Sequence, residues 1–337
     1  MATVDLFAIG NALIDQEFKV SNEFLTQQAL QKGTMQLTDG ETQAALYQQL
    51  QDTQNYKGQA SGGSAANTTV AFSALGGTAF YGCRVGNDDL GSIYLNGLNE
   101  AGIKTAAQSI SEGVTGTCMV LISPDSERTM HTYLGITAEL TAEQIDFEPL
   151  KAAKWLYIEG YLSTSDTARV AVKQARELAK AHGVKIALSL SDPAMVQYAR
   201  QGLEELLDDG VDLLFCNEQE ALMFSNTETL DAAIEVLKSK NQHIVITQGA
   251  NGAVIIDPEQ QFHVAGREVH AVDTNGAGDA FAGAFLYAIN AGLTLEAAAQ
   301  LAILISSEVV AQFGPRLAVE NYAKLFEQFK NSQQEYA

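Results

Sequence analysis

A chain of 337 residues, 46% hydrophobic and 18% charged, is long enough to bury a large core and to fold as one sizeable domain with an appendage. Its 41 acidic against 20 basic residues give a formal net charge of −21, which argues against nucleic acid or anionic membrane as a partner and leaves any phosphorylated substrate to be met by local donors. The three cysteines (Cys83, Cys118, Cys216) lack Cys-x-x-Cys spacing and the five histidines lack paired ligand spacing, so a disulfide framework and a zinc site are both unexpected. The first ten residues hold Asp5 and no Lys or Arg, so no signal peptide is expected and cytoplasm is the expected location.

In chain order, residues 6–10 read as a strand and run into Ile9-Gly10-Asn11-Ala12-Leu13-Ile14-Asp15. Residues 17–37 then break the strand and helix rhythm. A glycine pair in Ser61-Gly62-Gly63-Ser64-Ala65-Ala66-Asn67 introduces an apolar stretch over 69–75 that stops at Gly76-Gly77. Residues 104–134 break the rhythm again, with 115–123 and 128–134 patterned as a hairpin around Pro124-Asp125. Further short apolar runs fall at 156–159, 185–190, 213–216 and His243–Thr247. Between them Asp166–His182 carries Ala168, Ala171, Val172, Ala175, Leu178 and Ala179 at helical spacing, closed by Gly183, and Leu230–Lys238 reads as another helix. Such alternation predicts an α/β fold of parallel strands with crossover helices, in one domain over residues 1–337. The apolar region 280–313 is broken by Asn290, Gly292, Glu296, Gln300 and Glu308, and reads as two packed helices, not a membrane span.

The most informative stretch is Asp273-Thr274-Asn275-Gly276-Ala277-Gly278-Asp279-Ala280-Phe281. Residues 267–272 ahead of it alternate like a strand, and 280–289 follow as an apolar helix. The glycines therefore sit at a strand-to-helix turn, where the first N–H groups of the helix lack intrahelical partners and the peptide dipoles favour an anion. A carboxylate at Asp279, in the first helical turn, repels a phosphate unless it has a chemical task such as taking a proton from an attacking hydroxyl. Taken alone, Gly-x-Gly-Asp also describes an ordinary tight turn and helix start.

Together, the two glycine motifs resemble the signatures of the ribokinase-like carbohydrate kinases, the PfkB family, and Asn217-Glu218-Gln219-Glu220 and Thr247-Gln248-Gly249 fall in that family's order. The resemblance spans essentially the whole chain. It implies a three-layer α/β/α domain with a small discontinuous β-lid, for which 17–37 and 104–134 are the candidates. It also implies that Asp279 is the general base and that Asn275, Gly276, Ala277 and Gly278 hold the transferred phosphoryl group of ATP. Asn11, Asp15, Gly63 and Asn67 match positions that bind vicinal sugar hydroxyls. Asn217 and Glu220 match an element that acts through water on Mg2+, and Thr247, Gln248, Gly249 and Gly314 are expected along the nucleotide. Asp273 matches a monovalent-cation position, so K+ is a candidate activator. Arg128 matches a lid arginine able to reach the γ-phosphate, although a solvated strand-edge arginine fits equally. No Gly-x-x-x-x-Gly-Lys-Ser/Thr occurs, which excludes a Walker-type kinase.

Asn275 within the turn, the Asn11 to Asp15 segment and Thr115-Gly116-Thr117-Cys118 look more like the adenosine kinases of that family than its ribokinases. The implied substrate is a small nucleoside, with Tyr133 and Tyr161 as aromatic faces for its base. Guanosine, inosine, pseudouridine and free sugars such as ribose or fructose stay open as acceptors, as do monomer and homodimer. A nucleotide- or sugar-binding regulator without turnover is the alternative of a different class; it would have no need of Asp279.

Overall fold

The short runs of Val, Ile, Leu and Phe assemble into one nine-stranded sheet. The structure, a computed structural model, describes residues 4–51, 56–125 and 127–335; residues 1–3 of the stretch read for a signal peptide lie outside them. Across the sheet the strands are Gln261–Ala265, Gly252–Ile256, His243–Thr247, Leu213–Asn217, Lys185–Ser189, Trp155–Glu159, Leu6–Ile9, Ala79–Gly82 and Lys104–Thr105. From His243–Thr247 to Lys104–Thr105 all neighbours pair parallel, and the other two strands add antiparallel at one edge. A parallel sheet covered on both faces needs apolar side chains on both, which is why these strands lack polar alternation. Leu6, Ala8, Trp155 and Tyr157 enter one core, while Phe7, Ile9, Leu156 and Ile158 enter the other. Asp166–His182, capped by Ser165 and ended by Gly183 in the left-handed region, packs on the second of these; Ser64–Ala74, Ala277–Asn290 and Leu295–Val310 pack on the first.

A second sheet of five strands, in the order Met35–Leu37, Arg128–Gly135, Thr115–Ile122, Leu13–Lys19 and Tyr56–Gly62, stands over the carboxyl end of the first. One of its faces packs Phe18, Met119 and Leu121 against Leu25, Leu46 and Leu50 of the helices Asn22–Gln27 and Gly40–Gln51. The hairpin expected at 115–123 and 128–134 is the centre of this sheet. Residues 104–111 lie elsewhere: Lys104–Thr105 extends the main sheet, and Ile110–Ser111 pairs with Val85–Gly86.

The strand expected at 267–272 does not form. After Ala265 the chain leaves the sheet, and the N–H groups of Val272 and Asp273 bond to the carbonyl of Val310 at 2.9 and 3.2 Å, at the end of Leu295–Val310. Alternating residues in an extended connector carry the same pattern as a ladder strand. The helix that follows begins at Ala277, three residues earlier than the apolar run at 280–289. Among the described residues no helix is long and apolar enough to cross a membrane.

Candidate active site

A cavity of about 320 Å3 lies where the parallel strands end. Glu159, Ser189, Asn217 and Thr247, each the last residue of its strand, line it, the position at which open α/β sheets bind ligands. The second sheet closes the cavity with Met35, Leu37, Cys118, Met130, Thr132 and Leu134. Of the residues singled out in the sequence, Asn11, Asp15, Gly63, Asn67, Tyr161, Asn217, Glu220, Thr247, Asn275, Gly276, Ala277, Gly278 and Asp279 all line this one space.

Asp279 sits in the first turn of Ala277–Asn290, whose N-cap is Gly276 with φ +69° and which no side chain caps; the Ala277 N–H turns back to the carbonyl of Thr274 at 3.3 Å, while those of Gly278 and Asp279 have no partner among the described residues and stay free for an anion. A Cβ at Gly276 would strike the carbonyl of Pro315, so the turn closes only with glycine there. The carboxylate of Asp279 is held from both sides: Ser64 Oγ donates to Oδ1 at 2.6 Å and Asn67 Nδ2 to Oδ2 at 2.9 Å. Both donors belong to Ser64–Ala74. The two helices can approach this closely because Gly283 presents no side chain to Thr68 and Ala71. Burial raises the carboxyl of Asp279 above its usual range, opposed by the Ser64 and Asn67 hydrogen bonds and by the charges of Arg316 and Arg128.

Asp15 comes from the second sheet and is buried without a hydrogen-bond partner among the described residues. Burial pushes its carboxyl up to about 7, with Arg316 pulling down and Glu17 pushing up. Glu159, also buried, accepts from the backbone N–H groups of Asn11 and Ala65, at 2.7 Å each, and so ties the Asn11 loop to the start of Ser64–Ala74. Its carboxyl is pushed up to about 7 by burial and that of Glu220 to about 8. These three groups titrate near 4 in an unfolded chain, so between about pH 4 and 8 the native state holds protons the unfolded state has lost, and stability falls as pH rises. Asp5 and Asp125, both lowered to about 2, act below that window. The ligand-free protein is therefore expected to melt several degrees higher at pH 5.5 than at pH 8.5; a calorimetric midpoint flat or rising over that range would contradict the assignment.

On the opposite wall, Asn217 and Glu220 form a reciprocal capping box that opens Glu218–Ser225: Asn217 Oδ1 accepts from Glu220 N at 2.8 Å, and Glu220 Oε2 accepts from Asn217 N at 3.0 Å. Gln248 and Gly249 follow the His243–Thr247 strand but do not line the cavity, and the Gln248 amide donates to Glu218 at 2.8 Å. Gly314 is also outside it; its N–H donates to Asp273 Oδ2 at 3.0 Å. Asp273, fully buried, accepts with Oδ1 from Asn275 N and from the guanidinium of Arg128, whose Nη2 lies at 2.8 Å and whose Nε also bonds it. Arg128 is therefore a buried link between the second sheet and the anion turn, not a solvated edge residue. Tyr133 is out of phase with Met130, Thr132 and Leu134, so on a pleated strand it faces away from the cavity, packing against Gly40. Ser64, Glu159 and Arg316 went unread in the sequence: their partners lie 94 to 255 residues away, and no local pattern marks such pairs.

Residues 5–321 match the sequence model of the pfkB family of carbohydrate kinases. The crystal structure of an adenosine kinase from Sinorhizobium meliloti is 33% identical and superposes with a TM-score of 0.90, over 97% of this chain and 99% of its own. A probable sugar kinase from Rhizobium etli is 32% identical with the same TM-score and the same coverage. The adenosine kinase of Saccharomyces cerevisiae is 28% identical over 96% of this chain and 100% of its own length.

Proposed function

The chain belongs to the pfkB family of carbohydrate kinases, and we propose that it transfers the γ-phosphoryl group of ATP to the 5′ hydroxyl of adenosine. The observation that carries this reading is one cavity holding two carboxylates of different character: half-buried Asp279, braced by two donors at an uncapped helix start, and buried Asp15, with no hydrogen-bond partner among the described residues. A carboxylate without partners keeps its acceptor sites for two vicinal hydroxyls of a ribose. Asp279, already supplied with donors, keeps one lone-pair direction toward the cavity for the proton of the attacking hydroxyl. The free N–H groups of Gly278 and Asp279 would hold the charge that grows on the phosphoryl oxygens, and transfer of this kind depends mainly on positioning and electrostatics. A regulator without turnover has no use for Asp279.

The apolar wall of Met35, Leu37, Met130 and Leu134, with Tyr161 nearby, favours a base over a bare sugar, because a free sugar would leave that surface facing hydroxyls. The second sheet would then act as the lid, excluding water from the transfer. Magnesium would travel with the nucleotide. Among the described residues no group of three or more His, Cys, Asp or Glu is placed to hold a metal directly, whereas the like-charge crowding of Glu220 with Asp192 and Asp279, which adds to burial in raising its carboxyl, is of the kind a cation would relieve. Asn217 and Glu220 thus fit an outer role through water, and the ion supplies charge neutralisation at the phosphates. Asp273 fits a K+ ligand poorly, since both its oxygens are already engaged, Oδ1 by the Arg128 guanidinium and Asn275 N–H and Oδ2 by Gly314 N–H.

A coupled ADP-release assay with Mg-ATP against adenosine, guanosine, inosine, ribose and fructose tests the reading. Adenosine is expected to give the highest kcat/KM by about tenfold or more. Preference for ribose or fructose would keep the mechanism and overturn the acceptor; ATP binding without turnover on any of the five would leave a binding protein.

A further inference from the structure

Arg316 follows Gly314-Pro315, a segment that braces the anion turn from behind: Gly314 N–H holds Asp273 and Pro315 packs on Gly276. Its guanidinium reaches across to the acceptor side, with Nε donating to Asn67 Oδ1 at 2.7 Å and Nη1 to Ser61 Oγ at 3.1 Å. Arginine has donors only and a carboxylate accepts only. Between the two, the Asn67 amide has one satisfactory orientation, oxygen to Arg316 and nitrogen to Asp279. Arg316 lines none of the cavity itself, so it acts through Asn67. Among the described residues its Nη2 is buried without a partner.

We propose that Arg316 is a positioning residue for the transfer: it fixes the amide that orients Asp279 and supplies the cation that balances the carboxylates of Asp15 and Asp279. This rests on Asp279 being the base. The other charged or titratable groups facing Asp279 are Asp15 and Arg128 from the second sheet, Tyr157 and Glu159 from Trp155–Glu159, Tyr161 from the turn that follows that strand, Glu220 from Glu218–Ser225, and Tyr322 from the last helix. All but Arg128 are acidic groups, so Arg316 is one of two cations opposing the effect of burial on Asp279.

The test is the pH profile of kcat/KM for Arg316→Gln and Arg316→Lys, with Asp279→Asn alongside and folding checked by thermal melting. Arg316→Gln is expected to lower kcat about 10- to 100-fold and to move the acid limb upward by about half a unit or more, because the base then needs a higher pH to ionise. Arg316→Lys keeps the charge but not the fork: its limb is expected to stay at the wild-type position with kcat still reduced. A folded Gln variant whose limb does not move overturns the proposal. If the Gln variant does not fold, the Lys variant decides, and wild-type kcat there overturns it. Should Asp279→Asn retain activity, the base assignment itself fails, an outcome separate from any result at Arg316.

Discussion

Asp279→Asn is expected to lower kcat by about a hundredfold or more while leaving the affinity for ATP within about a factor of three. The substitution is unusually clean here. Asp279 receives one hydrogen bond from a hydroxyl and one from an amide nitrogen. In the variant the new Oδ1 can accept from Asn67 Nδ2, and the new amide nitrogen can donate to Ser64 Oγ, since a hydroxyl accepts as readily as it donates. Neither neighbour is left unsatisfied. A partly desolvated charge is also removed, so the thermal midpoint at pH 8 is expected to stay level or rise. Loss of turnover in a protein that melts no lower and still binds ATP isolates the missing base from any structural damage. Turnover within tenfold of wild type would mean that positioning at the anion turn does nearly all the work, with the acceptor proton leaving to water.

Where the chemistry is local, the fold is legible in the sequence. His243–Thr247, Leu230–Lys238 and Asp166–His182 form as their apolar spacing, caps and Gly183 dictate, and the free helix start at Asp279 follows from two glycines and their place in the chain. Residues 267–272 show the limit: alternation specifies an extended backbone, but a strand needs a neighbour, and past Ala265 the backbone donors find the end of a helix instead. Tyr133 fails for a different reason. Whether it faces the cavity depends on the parity of its strand, which only Met130 and Leu134 on the cavity side reveal. Arg316 and Glu159 were illegible because their meaning lies in what they hold: Glu159 bonds two backbone N–H groups, which carry no sequence signal, and Arg316 bonds an asparagine 249 residues earlier.

Arg128→Met is expected to cost about 3–5 kcal/mol, because it strands the Asp273 carboxylate in a fully buried position without its counter-ion. For a chain of this size that is a fall of about 5 °C in the thermal midpoint. The double variant Arg128→Met with Asp273→Asn is expected to recover part of that loss, since the stranded charge is gone while an amide oxygen remains to accept from Asn275 or Gly314 N–H. Turnover separates two roles for the arginine. If Arg128 only balances Asp273, activity should return with stability in the double variant. Its strand position argues for more than balance: Arg128 shares the parity of Met130, Thr132 and Leu134, which line the cavity, and it meets the anion turn at Asp273, two residues before Asn275. A guanidinium beside that turn puts a positive charge near the phosphoryl oxygens that Gly276 to Gly278 would hold, where it would lower the barrier directly. The double variant is accordingly expected to regain stability but not kcat, and recovery of both would reduce Arg128 to a counter-ion.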